Sequence, residues 1–288
     1  MTDWLNILLQ GALLGGLYAL FAIGLSLSFG IMRLVNIAHG DFIVLSAYIA
    51  LAFIQATGIN ALASLAIVVP LMFALGYALQ RGLLNFTLSG GLLSPLLVTF
   101  GISVIIENVL LQIFGADIRR LHAGAIETDS VAFGGIAVGV YPLLVFAVAV
   151  IAIAGLQVLF YRTALGRAFR ATSDDAGTAE LLGIDNRHLY AMAMAIAMIF
   201  TALAGVLMAI RTTFDPAAGP IRLIFAFEAV IIGGLGSLWG MLIGGMVLGI
   251  AQAVGAALSP TWQILAGHIA FLIVLVIRPS GLFPHTRD

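Results

Sequence analysis

The chain has 288 residues, 62% hydrophobic and only 9% charged, with 33 Gly and no Cys. All 12 basic residues are Arg, and against 13 acids they leave a net charge of −1. A soluble chain this poor in charge could not cover its own surface, a disordered one could not be this apolar, and nothing here offers nucleic acid a basic face. Without Cys there is no disulfide scaffold, thiolate metal site or cysteine nucleophile. What remains is a polytopic membrane protein.

A hydrocarbon core of roughly 30 Å needs about 20 apolar helical residues, and charge-free runs of that length recur along the chain. Trp4 to Met32 forms one span. Phe42 to Gln80 is too long for one and breaks at Thr57-Gly58-Ile59-Asn60, a turn signal, giving two. Pro95 to Phe114 forms a fourth, interrupted by Glu107. A polar, Gly-rich segment covers 115–140, and Tyr141 to Tyr161 forms a fifth span. The most charged stretch, 162–190, precedes four further apolar segments near 191–210, 223–236, 240–258 and 261–278. The expected fold is an all-α transmembrane bundle of nine helices, within a range of about eight to ten, forming one domain over 1–288. Barrel strands alternate apolar and polar residues, whereas these runs are apolar on all sides, and only helices then satisfy the backbone.

Orientation follows from the Arg residues. With the 162–190 loop cytoplasmic, Arg33, Arg81, Arg162, Arg167, Arg170, Arg187, Arg278 and Arg287 fall inside. Arg119, Arg120, Arg211 and Arg222 fall outside. This places the N-terminus and the 115–140 loop outside and the C-terminus in the cytoplasm.

Enzyme signatures are missing: there is no H-E-x-x-H, G-x-S-x-G or P-loop. The five His (His39, His122, His188, His268 and His285) never fall at i, i+4, so no metal site is expected. The Gly residues suit helix packing instead. Gly236, Gly240 and Gly244 are four apart, as are Gly245 and Gly249, and Gly11 and Gly15; that spacing lets backbones approach closely in lipid. The stretch Gly233 to Gly240, with Gly234 and Gly236 inside it, also reads as a hinge between two short helices.

Polar residues at membrane depth are costly. Glu107, Asn108 and Glu228 are each either paired with a neighbour or part of a solute path, with Arg222 the available partner of Glu228. Arg33, Asn36, His39 and Asp41 form either a solvated turn or a polar wall of that path.

In the charged loop, Thr172 with Asp175 matches a capping box. The run Ser173 to Leu182 then forms a short helix closed by Gly183 at C′. A basic, helix-compatible stretch with Gly166, Arg167 and Arg170 precedes it. A ten-residue helix is marginal alone. Asp174, Asp175, Glu180 and Asp185 disfavour anionic lipid as its support, which leaves a cytosolic protein.

Three stretches carry a resemblance. They are Leu27 to Asp41 (LSFGIMRLVNIAHGD), Gly166 to Ile184, and Gly233-Gly234-Leu235-Gly236-Ser237 with Gly240 and Gly244-Gly245. In this order and spacing they resemble the permease subunits of ABC importers for branched-chain amino acids, the shorter of two permease types. The resemblance implies a second permease (homologous, or a second copy), two cytoplasmic ATPases that hold ATP and Mg, and a periplasmic solute-binding protein, in a bacterial inner membrane. No cofactor is expected on this chain. The implied coupling residues are Gly166, Arg167, Arg170, Thr172, Asp175, Glu180 and Gly183. The path candidates are Asn36, His39, Asp41, Glu107, Asn108 and Glu228. Related systems carry other amino acids, amides, urea or aromatic acids. The sequence departs from the pattern at Ile224 to Glu228, which has no Lys and an added acid, and at Ser46, where Gly is common. The alternatives are a secondary carrier or channel using Glu107 or Glu228, and an assembly subunit without a path.

Overall fold

The computed structural model describes residues 2–88, 91, 93–133 and 136–283; His285 and Arg287 lie outside them. Among the described residues, nine helices match the nine apolar segments. They are α1 (Thr2–Met32), α2 (His39–Thr57), α3 (Leu65–Gly82), α4 (Leu93–Phe114), α5 (Val140–Arg162), α8 (Asn186–Arg211), α9 (Gly219–Gly233), α10 (Leu238–Leu258) and α11 (Trp262–Ile277). Eight are long and apolar enough to cross a membrane, α9 counting with the turn before it, and α11 is shorter at 16 residues. The fold is a polytopic helical bundle, as its composition requires. The charged loop holds two short helices, α6 (Ala164–Asp174) and α7 (Ala176–Leu181).

An antiparallel hairpin that the spans did not announce lies in the 115–140 segment. Strands β1 (Ser130–Phe133) and β2 (Ile136–Gly139) pair Ser130 with Gly139 and Val131 with Val138. Its trace in the sequence is Val131 and Phe133 on one side of Gly134-Gly135 and Ile136 and Val138 on the other.

Contacts divide the chain into two compact units. One comprises Gly24–Leu121 and Ala154–Leu223. Its centre is α8, 89% buried over its most apolar stretch against 22% for α4. Small residues let neighbours reach α8. Gly205 lies against Ile43 and Ser46 of α2, Gly76 of α3 against Met194 and Met198, and Gly24 of α1 against Ala197 and Thr201. At one end, Arg119 and Phe214 exchange backbone hydrogen bonds of 2.8 and 2.9 Å, and the Arg120 guanidinium donates to the Ile210 carbonyl. At the other, Arg81 meets Asp185 at 3.4 Å, and Asn85 donates to the Arg187 carbonyl at 3.0 Å. Arg119 and Arg120, which the charge rule sets apart from Arg81 and Arg187, thus lie at the opposite end of α8.

The other unit comprises Met1–Ile23, His122–Ile153 and Ile224–Asp288. Here Gly11 and Gly15 of α1 lie against the backbone of Gly249, Gly245 and Met246 in α10. Gly233 and Gly240 face each other across the α9–α10 turn, and Gly244 packs on Ala229 and Gly233. Gly236 does not join this packing stripe, contrary to its spacing. With φ +85° it shares the turn with Gly234 at +99°, conformations that a side chain resists. The C-terminal segment closes the end of α9. Leu282 and Phe283 donate to the orphan carbonyls of Ile232 and Gly233 at 2.9 and 3.1 Å.

Candidate functional site

Two polar clusters and one loop carry the residues singled out from the sequence. In the α8-centred unit, α1 ends at Met32 and the chain turns through Arg33, an exposed residue held at φ +52°. The turn leaves Asn36, His39 and Asp41 1%, 3% and 2% exposed, so they form no solvated turn. Ile37 donates its backbone N–H to the Thr99 hydroxyl at 3.2 Å, and Asp41 faces Ser103 and Glu107. Thr99, Ser103 and Glu107 are successive fourth residues of α4, so they make one polar lane roughly 12 Å long. The Oδ1 atoms of Asn36 and Asp41 are buried without a hydrogen-bond donor. Asn108 does not join them; its side chain is exposed and donates back to Val104 of its own helix at 2.8 Å.

In the other unit, Glu228 is 4% exposed, and its partner is not Arg222. Its Oε1 shares a hydrogen bond with Nδ1 of His268 on α11. Phe225, one turn earlier on α9, lies 6.4 Å from the His268 ring and 5.2 Å from that of Tyr18. The Tyr18 hydroxyl donates to Oε1 of Gln252, a side chain 1% exposed on α10. No motif or spacing in the sequence marks His268, Gln252 or Tyr18, since their partners lie on other helices. A lone ionisable residue inside an apolar helix is already a signal.

The charged loop is organised differently from its motif reading. Thr172 does not cap the second helix: it lies in the last turn of α6 and donates its hydroxyl to Asn186 Oδ1 at 3.1 Å. Thr163 caps α6, and Asp175 caps α7, accepting from the N–H groups of Gly177 and Thr178 at 2.9 and 3.1 Å. The Ser173 to Leu182 run is therefore split, because Asp175 takes an extended conformation between the two helices. Gly183 does follow α7 in the left-handed region, at φ +84°. The Thr178 hydroxyl and the two N–H groups hold the Asp175 carboxyl below the usual carboxylate range. Asp185, capping α8, is lowered by the His188 N–H and by Arg81.

Gly166 lets α6 fold back on α5, its Cα against the carbonyls of Leu159 and Phe160. Arg170 donates to the Phe160 carbonyl and lies 5.3 Å over the Tyr161 ring, while Arg167 is exposed. Asn186 ties the loop to α8 by donating to the Ala176 carbonyl at 2.7 Å. Ser173 ties it to α1 by donating to that of Gly30 at 2.7 Å. At the tip, Leu181 and Leu182 are 88% and 77% exposed. Beside them opens a groove of about 630 Å³ lined by Asn85, Glu180, Gly183, Asp185, Arg187 and Tyr190.

Residues 7–277 match the family of the branched-chain amino acid transport system permease component. The chain is 29% identical to the high-affinity branched-chain amino acid transport system permease protein BraD of Pseudomonas aeruginosa, over 97% of this chain and 95% of BraD. It is 27% identical to LivH of Escherichia coli over the same shares. LivM of that organism is 25% identical over 94% of this chain and 68% of its own. No solved structure matches. With the family pattern running through both units and the charged loop, the chain belongs to the branched-chain amino acid transport permeases, as a multi-pass membrane protein.

Proposed function

We propose that the chain is the membrane-spanning permease subunit of an ATP-driven importer in a bacterial inner membrane. It moves an amino acid of branched-chain type, or a related small solute, handed over by a periplasmic binding protein. A second permease completes the pore; relatives of both the LivH and the LivM kind support this pairing. ATP and Mg reside on two cytosolic ATPase subunits, which dock on the α6–α7 loop.

The observation that carries the docking assignment is the pair Leu181 and Leu182, held in water at the tip of a capped helix beside an open groove. Two neighbouring leucines so exposed are a contact surface in search of a cover. Their frame is stiff: the Asp175 cap, the Gly183 turn and the Asn186 tie fix α7 to the start of α8. Closure of the ATPases then pushes on α8 through this frame, and α8 contacts α2 and α3 along its length. The end bearing α7 is accordingly cytoplasmic, and the hairpin segment faces the binding protein. The lane of Thr99, Ser103 and Glu107 opposite Asp41 supplies polar contacts for the solute.

Co-purification tests the reading. The tagged chain is expressed with its chromosomal neighbours, extracted in mild detergent, and compared with a variant in which residues 173–182 are scrambled. An ATPase retained by the wild type and lost by the variant is the expected result. A chain that purifies alone yet moves solute in liposomes without ATP is a secondary carrier.

A further inference from the structure

Glu228 and His268 present a contradiction for a helix facing lipid. His268 sits near the middle of α11, six residues after Trp262 and nine before Ile277. Its side chain is 37% exposed while the carboxylate it holds is 5% exposed. An ionisable pair at membrane depth faces a protein interior or a water-filled cavity, since hydrocarbon offers it no solvation. The pair is also incompletely satisfied. Oε2 of Glu228 is buried without a donor, and Nε2 of Gln252 is buried without an acceptor. One orphan acceptor and one orphan donor thus lie in a cluster walled by Tyr18 and Phe225. On α11, Leu265 and Leu272, one turn before and after His268, are 51% and 54% exposed. A polar spot therefore interrupts an apolar stripe.

Resting on the permease reading, we propose that the His268 face of α11 lines the water-filled solute route. In that route Glu228 Oε2 receives the ammonium group of the solute, and the Gln252 amide donates to its carboxylate. The apolar stripe accommodates an aliphatic side chain. A cationic group is favoured over an anionic one at the Glu228 position.

The Cys-free chain makes the test direct. Single Cys residues are introduced as Leu265→Cys, His268→Cys and Leu272→Cys in cells that express the whole transporter. Ile151→Cys, at an exposed position on α5, serves as reference. Cells are treated with a cationic (trimethylammonium) or an anionic (sulfonate) methanethiosulfonate, which need water and a thiolate to react. Leu265→Cys and Leu272→Cys keep the Glu228–His268 pair intact, so folding is preserved. These positions and His268→Cys are expected to react with the cationic reagent about tenfold faster than Ile151→Cys. The preference for cation over anion is expected to vanish on adding Glu228→Gln. Reaction no faster than at Ile151→Cys, or a preference that survives Glu228→Gln, overturns the proposal. The permease reading is scored separately by ATPase co-purification, so labelling as expected without a bound ATPase would defeat that reading alone.

Discussion

Gly245 of α10 lies with its Cα against the backbone carbonyl of Gly15 on α1, so a side chain at either position would meet main chain rather than a movable group. In hydrocarbon there is no hydrophobic force to join helices, and close backbone approach supplies dispersion contacts instead. Gly245→Val is expected to cost about 1–3 kcal/mol or more, the range for overpacking. The variant should show a lowered melting temperature in detergent. Gly155→Ala on α5 is the control: a Cβ there meets nothing within 4 Å, and helix propensity favours Ala. Equal melting of the two variants would show that the α1–α10 approach contributes nothing.

Gly183 stands at φ +84° directly after α7, and a β-branched residue resists that conformation. Gly183→Val is expected to strain the turn by roughly 1–3 kcal/mol. Transport should be lost or uncoupled from ATP hydrolysis while membrane insertion stays normal. Gly183→Asn, which tolerates the left-handed region, should restore most of the flux. Unchanged transport in the Val variant would remove this loop from the mechanism.

The Asp175 cap makes the loop sensitive to acid. Its carboxyl is held low by the Thr178 hydroxyl and by the N–H groups of Thr178 and Gly177. A carboxyl lowered by folding stabilises the fold above its unfolded value, and that contribution is lost as pH falls through the lowered value. The α7 cap is therefore intact at neutral pH and weakens only below the ordinary value of 3.8. Hydrogen exchange at Gly177 and Thr178, corrected for intrinsic rates, should quicken in that acid window in the wild type. In Asp175→Ala, exchange should already be fast at neutral pH. Protection that ignores both would separate the cap from the order of α7.

The spans were legible because a run of apolar residues admits one backbone solution in lipid, and each of the nine segments found its helix. The loop was legible in part. Gly183 announced its conformation, since few residues tolerate φ > 0. That Asp175 rather than Thr172 caps α7 was not readable, because the hydroxyl of Thr172 is taken up by Asn186, 14 residues away. The Glu228 partner was hidden for the same reason: His268 lies 40 residues along the chain, and only the packing of α9 with α11 joins them. Gly236 misled because a spacing of four is shared by a helix stripe and by a turn followed by a helix.

Glu107 and Asn108 are neighbours in sequence with opposite surroundings, and this makes them a paired test of the α4 lane. Glu107 lies on the same face as Ser103 and Thr99, on the side of α4 toward Asp41, whereas Asn108 satisfies itself on Val104. Glu107→Gln keeps the size and hydrogen-bonding capacity of the side chain and removes its charge. If the lane carries the solute, the variant should assemble normally and lose about tenfold in flux, the effect of one short-range charge contact. Asn108→Ala should keep wild-type flux, because the bond it removes lies within its own helix. Radiolabelled leucine uptake by the reconstituted transporter, normalised to co-purified ATPase, measures both. Wild-type uptake by Glu107→Gln would retire its charge from the route and leave Asp41 with Ser103 as a packing element. Equal losses in the two variants would instead mean that α4 tolerates no change on either face, and the lane would lose its claim to the solute.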